Sequence, residues 1–265
     1  MDMVNNMELQ LLNSAHFAWV IIYFFLTFII FVTVKRTEKK YQKLIIFMLT
    51  ILNVAIHFIY PFIFETATTE FIYKISLRNI CAILVIISPF IIWQKDKFLK
   101  PGWLYSSIVA GLAILIYPTD IIGYSWSSLA TIRFFFQHNL LFTIAFCLIR
   151  LNHEKISVRD IWTTHIVWSL MIIVIITNSV LMQDIGIISH MRRSNEAFQW
   201  QPSFLYSWFG WAVPELFQYV PFGGETGARR FWPFLYQQPF FIVGFPFISV
   251  VITLAFKISF KKSTH

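Results

Sequence analysis

Seven stretches of this chain are each apolar enough to lie in the hydrocarbon core of a bilayer, and charged segments separate most of them. A membrane-spanning helix needs about 20 mostly apolar residues, because each residue advances it by only ~1.5 Å. The runs are 16–34, 41–64, 74–93, 103–117, 129–149, 161–182 and 239–259; the fourth is short and closes at Pro118. In lipid every backbone N–H and C=O must be satisfied within the protein, which leaves helices and closed barrels. Continuous apolar runs of this length, with no alternation, select helices. The expected fold is therefore all-α, a polytopic membrane protein whose seven-transmembrane-helix bundle forms a single membrane domain over residues 1–265.

Composition points the same way. Hydrophobic residues make up 57% of the chain and charged ones 13%, where a soluble domain carries about 25% charged residues. A soluble nucleotide-binding enzyme, a secreted disulfide scaffold and a disordered tail are all excluded. Cys81 and Cys147 both lie inside apolar runs, so they imply no disulfide framework. The net charge of +8 would suit nucleic acid, but no basic stripe or aromatic-interleaved motif accompanies it. No nucleic acid partner is expected, and the lysines instead punctuate the apolar runs.

That punctuation orients the chain. Lys35, Arg36, Lys39, Lys40 and Lys43 follow the first run, and Lys95, Lys97 and Lys100 the third. Arg150, Lys155 and Arg159 follow the fifth, and Lys257, Lys261 and Lys262 the seventh. Of the alternate connections, 65–70 carries only Lys74 at its edge and 118–128 none, while the long 183–238 connection holds Arg192, Arg193, Arg229 and Arg230 against this pattern. Basic loops stay on the cytoplasmic side, which puts the N-terminus outside and the C-terminus inside, in a multi-pass protein of the cell membrane. The residues ahead of the first run hold Asp2 and Glu8 and no base, so that run reads as a retained span rather than a signal peptide. Between the last two runs lies a long outer loop, 183–238. Its apolar part, 203–222, contains Pro214, Glu215 and Gln218 and reads as an interfacial or re-entrant segment anchored by Trp200, Trp208 and Trp211.

Polar side chains inside spans are costly, so each is a candidate for function. Arg78 and Cys81 in the third run, Arg133, Gln137, His138 and Asn139 in the fifth, His57 in the second and Asn178 in the sixth all fall in the outer half of the bilayer. The inner half is nearly bare, holding Asn53, His165 and Cys147. All 13 acidic residues lie in loops or tails. Arg78 and Arg133 therefore either snorkel outward to Glu65, Glu70 or Asp120, or meet an anion that is not protein, such as a phospholipid headgroup. Cys147 reads as a small buried hydrophobe. Cys81 has that reading too, but Arg78 and Asn79 precede it, and a neighbouring cation favours the nucleophilic thiolate. With His138 as general base, a Cys–His pair within reach of a lipid ester is an acyl-transfer site. No His-x3-His or Cys-x2-Cys spacing fixes a metal site, and Gly223-Gly224 lacks the Lys-Ser/Thr of a phosphate loop. Neither metal nor cofactor is expected.

Several short motifs carry a family resemblance. Leu77-Arg78-Asn79-Ile80-Cys81, Gly111 to Pro118, Phe134-Phe135-Phe136-Gln137-His138-Asn139, Asn178, and Phe231-Trp232-Pro233-Phe234-Leu235-Tyr236 occur in order along the chain. Together they resemble the YwaF-like integral membrane proteins, relatives of the eukaryotic transmembrane protein 164. The resemblance implies a seven-span membrane acyltransferase acting on phospholipids, with Cys81 matching the nucleophile and His138 the acid/base. It departs at Asn79, where the family pattern has His, and in the longer 183–238 loop. Arg78, Arg133, His57, Asn79, Gln137, Asn139 and Asn178 are the candidate substrate-binding residues, with membrane phospholipids as partners. A non-catalytic membrane component that binds or transports an anionic or amphipathic solute is the alternative. The sequence sets no oligomeric state.

Overall fold

Asn13 and Ser128 begin two helices by the same device. Asn13 is extended, and its side chain accepts the backbone N–H of His16; Ser128 likewise accepts that of Thr131. Each side-chain oxygen satisfies one of the N–H groups a helix start leaves bare. The computed structural model describes residues 8–64, 71–72, 75–77, 79–94, 98–116, 118, 121–157, 160–184 and 250–255. Among them, six long helices follow one another: α1 (Ser14–Arg36), α2 (Lys39–Phe64), α3 (Ile80–Trp93), α4 (Leu99–Ile116), α5 (Leu129–Arg150) and α6 (Ile161–Asp184). Residues 250–255 are also helical. The fold is all-helical, and the described residues contain only an isolated antiparallel bridge, between Glu8 and Ser125.

Helices α1, α2, α4 and α5 are long and apolar enough to cross a membrane. Most helix ends fall within two residues of the expected spans. Two starts differ. α4 begins at Leu99, taking in Lys100 and Pro101, because proline is tolerated in a first helical turn. α3 begins only at Ile80 rather than at 74, and the cause is local: Asn79 Oδ1 accepts the Ala82 N–H at 2.8 Å and caps the helix there. Of the 239–259 run only 250–255 falls within the described residues, and the 185–238 part of the long loop lies outside them.

The chain divides into two compact units. Met1–Tyr60 with Leu84–Ser157 form the first; Pro61–Ile83 with Val158–His265 form the second. In the first unit α5 is the hub, packing most extensively on α4 and next on α1. Within their most apolar windows, 72% of α5 is buried by protein against 22% of α1. The remainder of α1 is a Phe/Ile face, with Phe17, Ile21, Phe24 and Phe28 exposed at helical spacing, which suits contact with acyl chains. In the second unit, Thr163 and Thr164 hydroxyls both donate to the Asp160 carbonyl at the start of α6, and Phe62 meets Phe71 edge-on.

Candidate functional site

Three consecutive residues of α5, all candidates from the sequence, point three ways. Successive helical residues are rotated by about 100°, so Gln137, His138 and Asn139 cannot share one face. Asn139 faces α1. Its Nδ2 donates to the Tyr23 carbonyl at 2.7 Å and to Thr27 Oγ1 at 2.8 Å. The Thr27 hydroxyl also pairs with that of Thr143 at 2.9 Å. Tyr23 completes the seam by donating to the carbonyls of Gly111 and His138, at 2.9 and 3.0 Å. Asn139 thus works as interhelical polar glue, not as an open binding group. Tyr23, Thr27 and Thr143 were not among the candidates, although they sit at i, i+4 spacing (Tyr23–Thr27 and Asn139–Thr143) on facing helices.

His138 turns its ring onto Phe134, with centroids 4.5 Å apart, and its Nδ1 lies 2.7 Å from the Phe134 carbonyl. A carbonyl oxygen only accepts, so Nδ1 carries the proton in that contact, and Nε2 keeps the lone pair of the neutral ring.

Gln137 faces α2. Its backbone carbonyl accepts Asn53 Nδ2 at 3.1 Å, and one turn away the Arg133 guanidinium lies over the Tyr60 ring at 4.3 Å. Asn53, His57 and Tyr60 follow one another at helical spacing on α2, opposite Gln137 and Arg133 on α5. The two helices run antiparallel in this register. Asn53 to Tyr60 spans ~10.5 Å and Gln137 to Arg133 ~6 Å, and the long Arg side chain covers the difference. His57, Arg133 and Gln137 are therefore brought to one seam. Asn53, assigned to the inner half by sequence depth, joins them, and so does Tyr60, which the sequence reading missed. Asn53, His57 and Gln137 are all buried. Asn53 Oδ1 and Gln137 Nε2 have no hydrogen-bond partner among the described residues.

Cys81 belongs to the second unit, half-buried in the first turn of α3 behind the Asn79 cap. Asn79, a candidate for substrate contact, has that capping role. Asn178 is half-buried on α6, and Arg78 lies outside the described residues. Cys147 is fully buried in α5. Among the described residues no three His, Cys, Asp or Glu side chains gather into a metal-binding group.

Apolar helices of spanning length, joined inside by hydrogen bonds and faced outside with Phe and Ile, define a polytopic helical membrane protein. A sequence model of the TMEM164 family matches residues 11–220, and the chain belongs to that family. The kinship with transmembrane protein 164 read from the motifs is thereby shown. No curated protein and no solved structure matches the chain.

Proposed function

We propose that this protein is a multi-pass cell-membrane acyltransferase that moves a fatty acyl group between phospholipids through Cys81. In this reading it has seven spans, with the N-terminus outside and the C-terminus cytoplasmic. The observation that carries the proposal is the position of Cys81 in the first turn of α3, directly after an Asn79 N-cap. A helix start offers unsatisfied N–H groups and the positive end of the dipole to a thiolate or an oxyanion. Family membership and the motif match at Cys81 and His138 support the same chemistry.

The thiolate attacks an ester carbonyl carbon of the donor lipid, the C–O bond breaks, and the leaving alkoxide takes a proton from a general acid. The acyl group is then held as a thioester. The hydroxyl of a lysolipid attacks it, a general base removes the hydroxyl proton, and the thiolate is regenerated. His138 is the candidate acid/base, its Nδ1 held by the Phe134 carbonyl so that Nε2 is the atom that trades protons. The binding or transport reading draws on the Arg133, His57 and Gln137 seam, and would make Cys81 dispensable.

The test is to feed purified protein a phospholipid radiolabelled in its acyl chain. Label should remain on the protein through a hydroxylamine-sensitive bond, vanish in Cys81→Ser and persist in Cys147→Ser. His138→Ala should slow turnover by roughly 10²–10⁴. Equal lipid remodelling by wild type and Cys81→Ser would end the covalent mechanism.

A further inference from the structure

We propose that the α2–α5 seam binds a hydroxyl group carried beside an anion: Gln137 and Asn53 take the hydroxyl, and Arg133 the anion. Only the choice of a lipid as a source of that group rests on the function proposed above. Gln137 is 7% exposed and Asn53 fully buried, and the Asn53 amide donates to the Gln137 backbone carbonyl at 3.1 Å, which sets it against the α5 backbone at the residue that carries the Gln137 side chain. The two atoms left over are complementary. Gln137 Nε2 is a donor and Asn53 Oδ1 an acceptor, and neither has a partner among the described residues. Leaving such groups unmade in a low-dielectric interior is costly.

A hydroxyl answers both at once, its oxygen accepting from Nε2 and its hydrogen donated to Oδ1. A phosphate or carbonyl oxygen would satisfy only Gln137, and an ammonium only Asn53. One turn toward Ser128, ~6 Å along α5, Arg133 sits over Tyr60, and a guanidinium fork fits phosphate or carboxylate. His57 lies one turn from both Asn53 and Tyr60 along α2 and continues the polar strip. The chemistry recognised is a phosphate a carbon or two away from an unesterified hydroxyl. A lipid with a glycerol phosphate core and free glycerol phosphate both carry it. A single buried water is the bland occupant.

The full-length protein in detergent micelles is titrated with 1-acyl-glycerol 3-phosphate, with its 2-deoxy analogue, and with glycerol 3-phosphate. Wild type should prefer the hydroxyl-bearing lipid roughly tenfold. Gln137→Leu and the near-isosteric Gln137→Met should erase that preference, each checked for folding by thermal unfolding. Arg133→Gln should weaken both lipids alike and keep the preference. Glycerol 3-phosphate binding with the same Gln137 dependence would support the site with a soluble ligand; binding of the lipid alone would support it with a membrane ligand. No binding of either lipid, equal affinity for the two, or a preference that survives Gln137→Leu would overturn the proposal and leave a water in the seam. Cys81→Ser should retain the preference, so a failure of acyl transfer and a failure of this site are read separately.

Discussion

The two seams that α5 makes, with α1 and α4 on one side and with α2 on the other, are built from the same kinds of atoms to opposite ends. On the α1/α4 side the groups that reach across to α5 are paired, although His16 Nε2 on α1 and Ser107 Oγ on α4 are buried without a hydrogen-bond partner among the described residues. Thr27 meets Thr143, Asn139 reaches Tyr23 and Thr27, and Tyr23 closes on two carbonyls. The backbones come close enough that a Cβ on Gly111 would lie 2.6 Å from Phe142 Cβ and 2.8 Å from the Tyr23 hydroxyl. On the α2 side the side chains are long, and Asn53 and Gln137 each keep an unanswered atom. Where lipid supplies no hydrophobic drive between helices, close packing and satisfied hydrogen bonds are what hold them. The first seam has both; the second keeps polar groups at a cost to stability, which is the pattern expected where function sets the residues.

The largest effect should come from filling the tight seam. Gly111→Val adds a branched side chain where Phe142, Tyr23 and the His138 carbonyl already stand, and overpacking of this kind costs about 1–3 kcal/mol. Thermal unfolding in detergent should show a clear drop in midpoint. An unchanged midpoint would mean that α1, α4 and α5 are not packed as described.

A paired substitution sharpens the comparison. Asn139→Leu removes two donated hydrogen bonds from a satisfied network and should cost about 0.5–2 kcal/mol, the range for interhelical polar contacts in membranes. Gln137→Leu removes a donor that bonds nothing described and should be neutral or slightly stabilising without ligand. Equal losses for the two variants would erase the distinction between glue and site.

Much of this was legible in the sequence, and the part that was not has a physical reason. Apolar run length located the helices because bilayer thickness and helical rise dictate it. Depth along the spans puts His57, Arg133 and Gln137 at similar levels, and the contacts place Asn53 and Tyr60 of α2 opposite Gln137 and Arg133 of α5. What depth cannot supply is azimuth. Gln137, His138 and Asn139 sit at one height, yet Asn139 reaches Tyr23 and Thr27 on α1 while the His138 ring lies on Phe134 of its own helix, since adjacent residues turn by about 100°. Asn53 is near the middle of its run, where assigning it to either leaflet half is arbitrary, and only its bond to Gln137 shows which residues it serves. Tyr60 carried no signal in an aromatic-rich chain until Arg133 was seen above it. The capping role of Asn79 is one that local rules could have caught, because Asn ahead of an apolar run is a helix-start signal.

The smallest effect lies at the α1–α2 turn, away from both seams, and it concerns pH. The His153 Nε2 lies 2.9 Å from Gln42 Oε1, and Gln42 in turn donates to the Thr37 carbonyl at 3.0 Å, so the segment after α5 is tied to that turn. An amide oxygen only accepts, which puts a proton on Nε2. Burial pushes His153 below the ordinary histidine value of 6.5, and Lys39 and Lys43 push it further, while Glu154, bound to Lys100 at 2.9 Å, opposes them. A lowered value means that the folded chain prefers the neutral ring and the unfolded chain takes the proton more readily. The contribution to stability is therefore full above about 6.5 and is lost as pH falls from there through the lower folded value. His153→Gln keeps a donor for Gln42 but cannot titrate. Thermal midpoints of wild type and variant, compared between about pH 8 and pH 5, should converge at the acid end as the wild type loses its advantage. A difference that stays constant across that range would show that His153 does not titrate against Lys39 and Lys43.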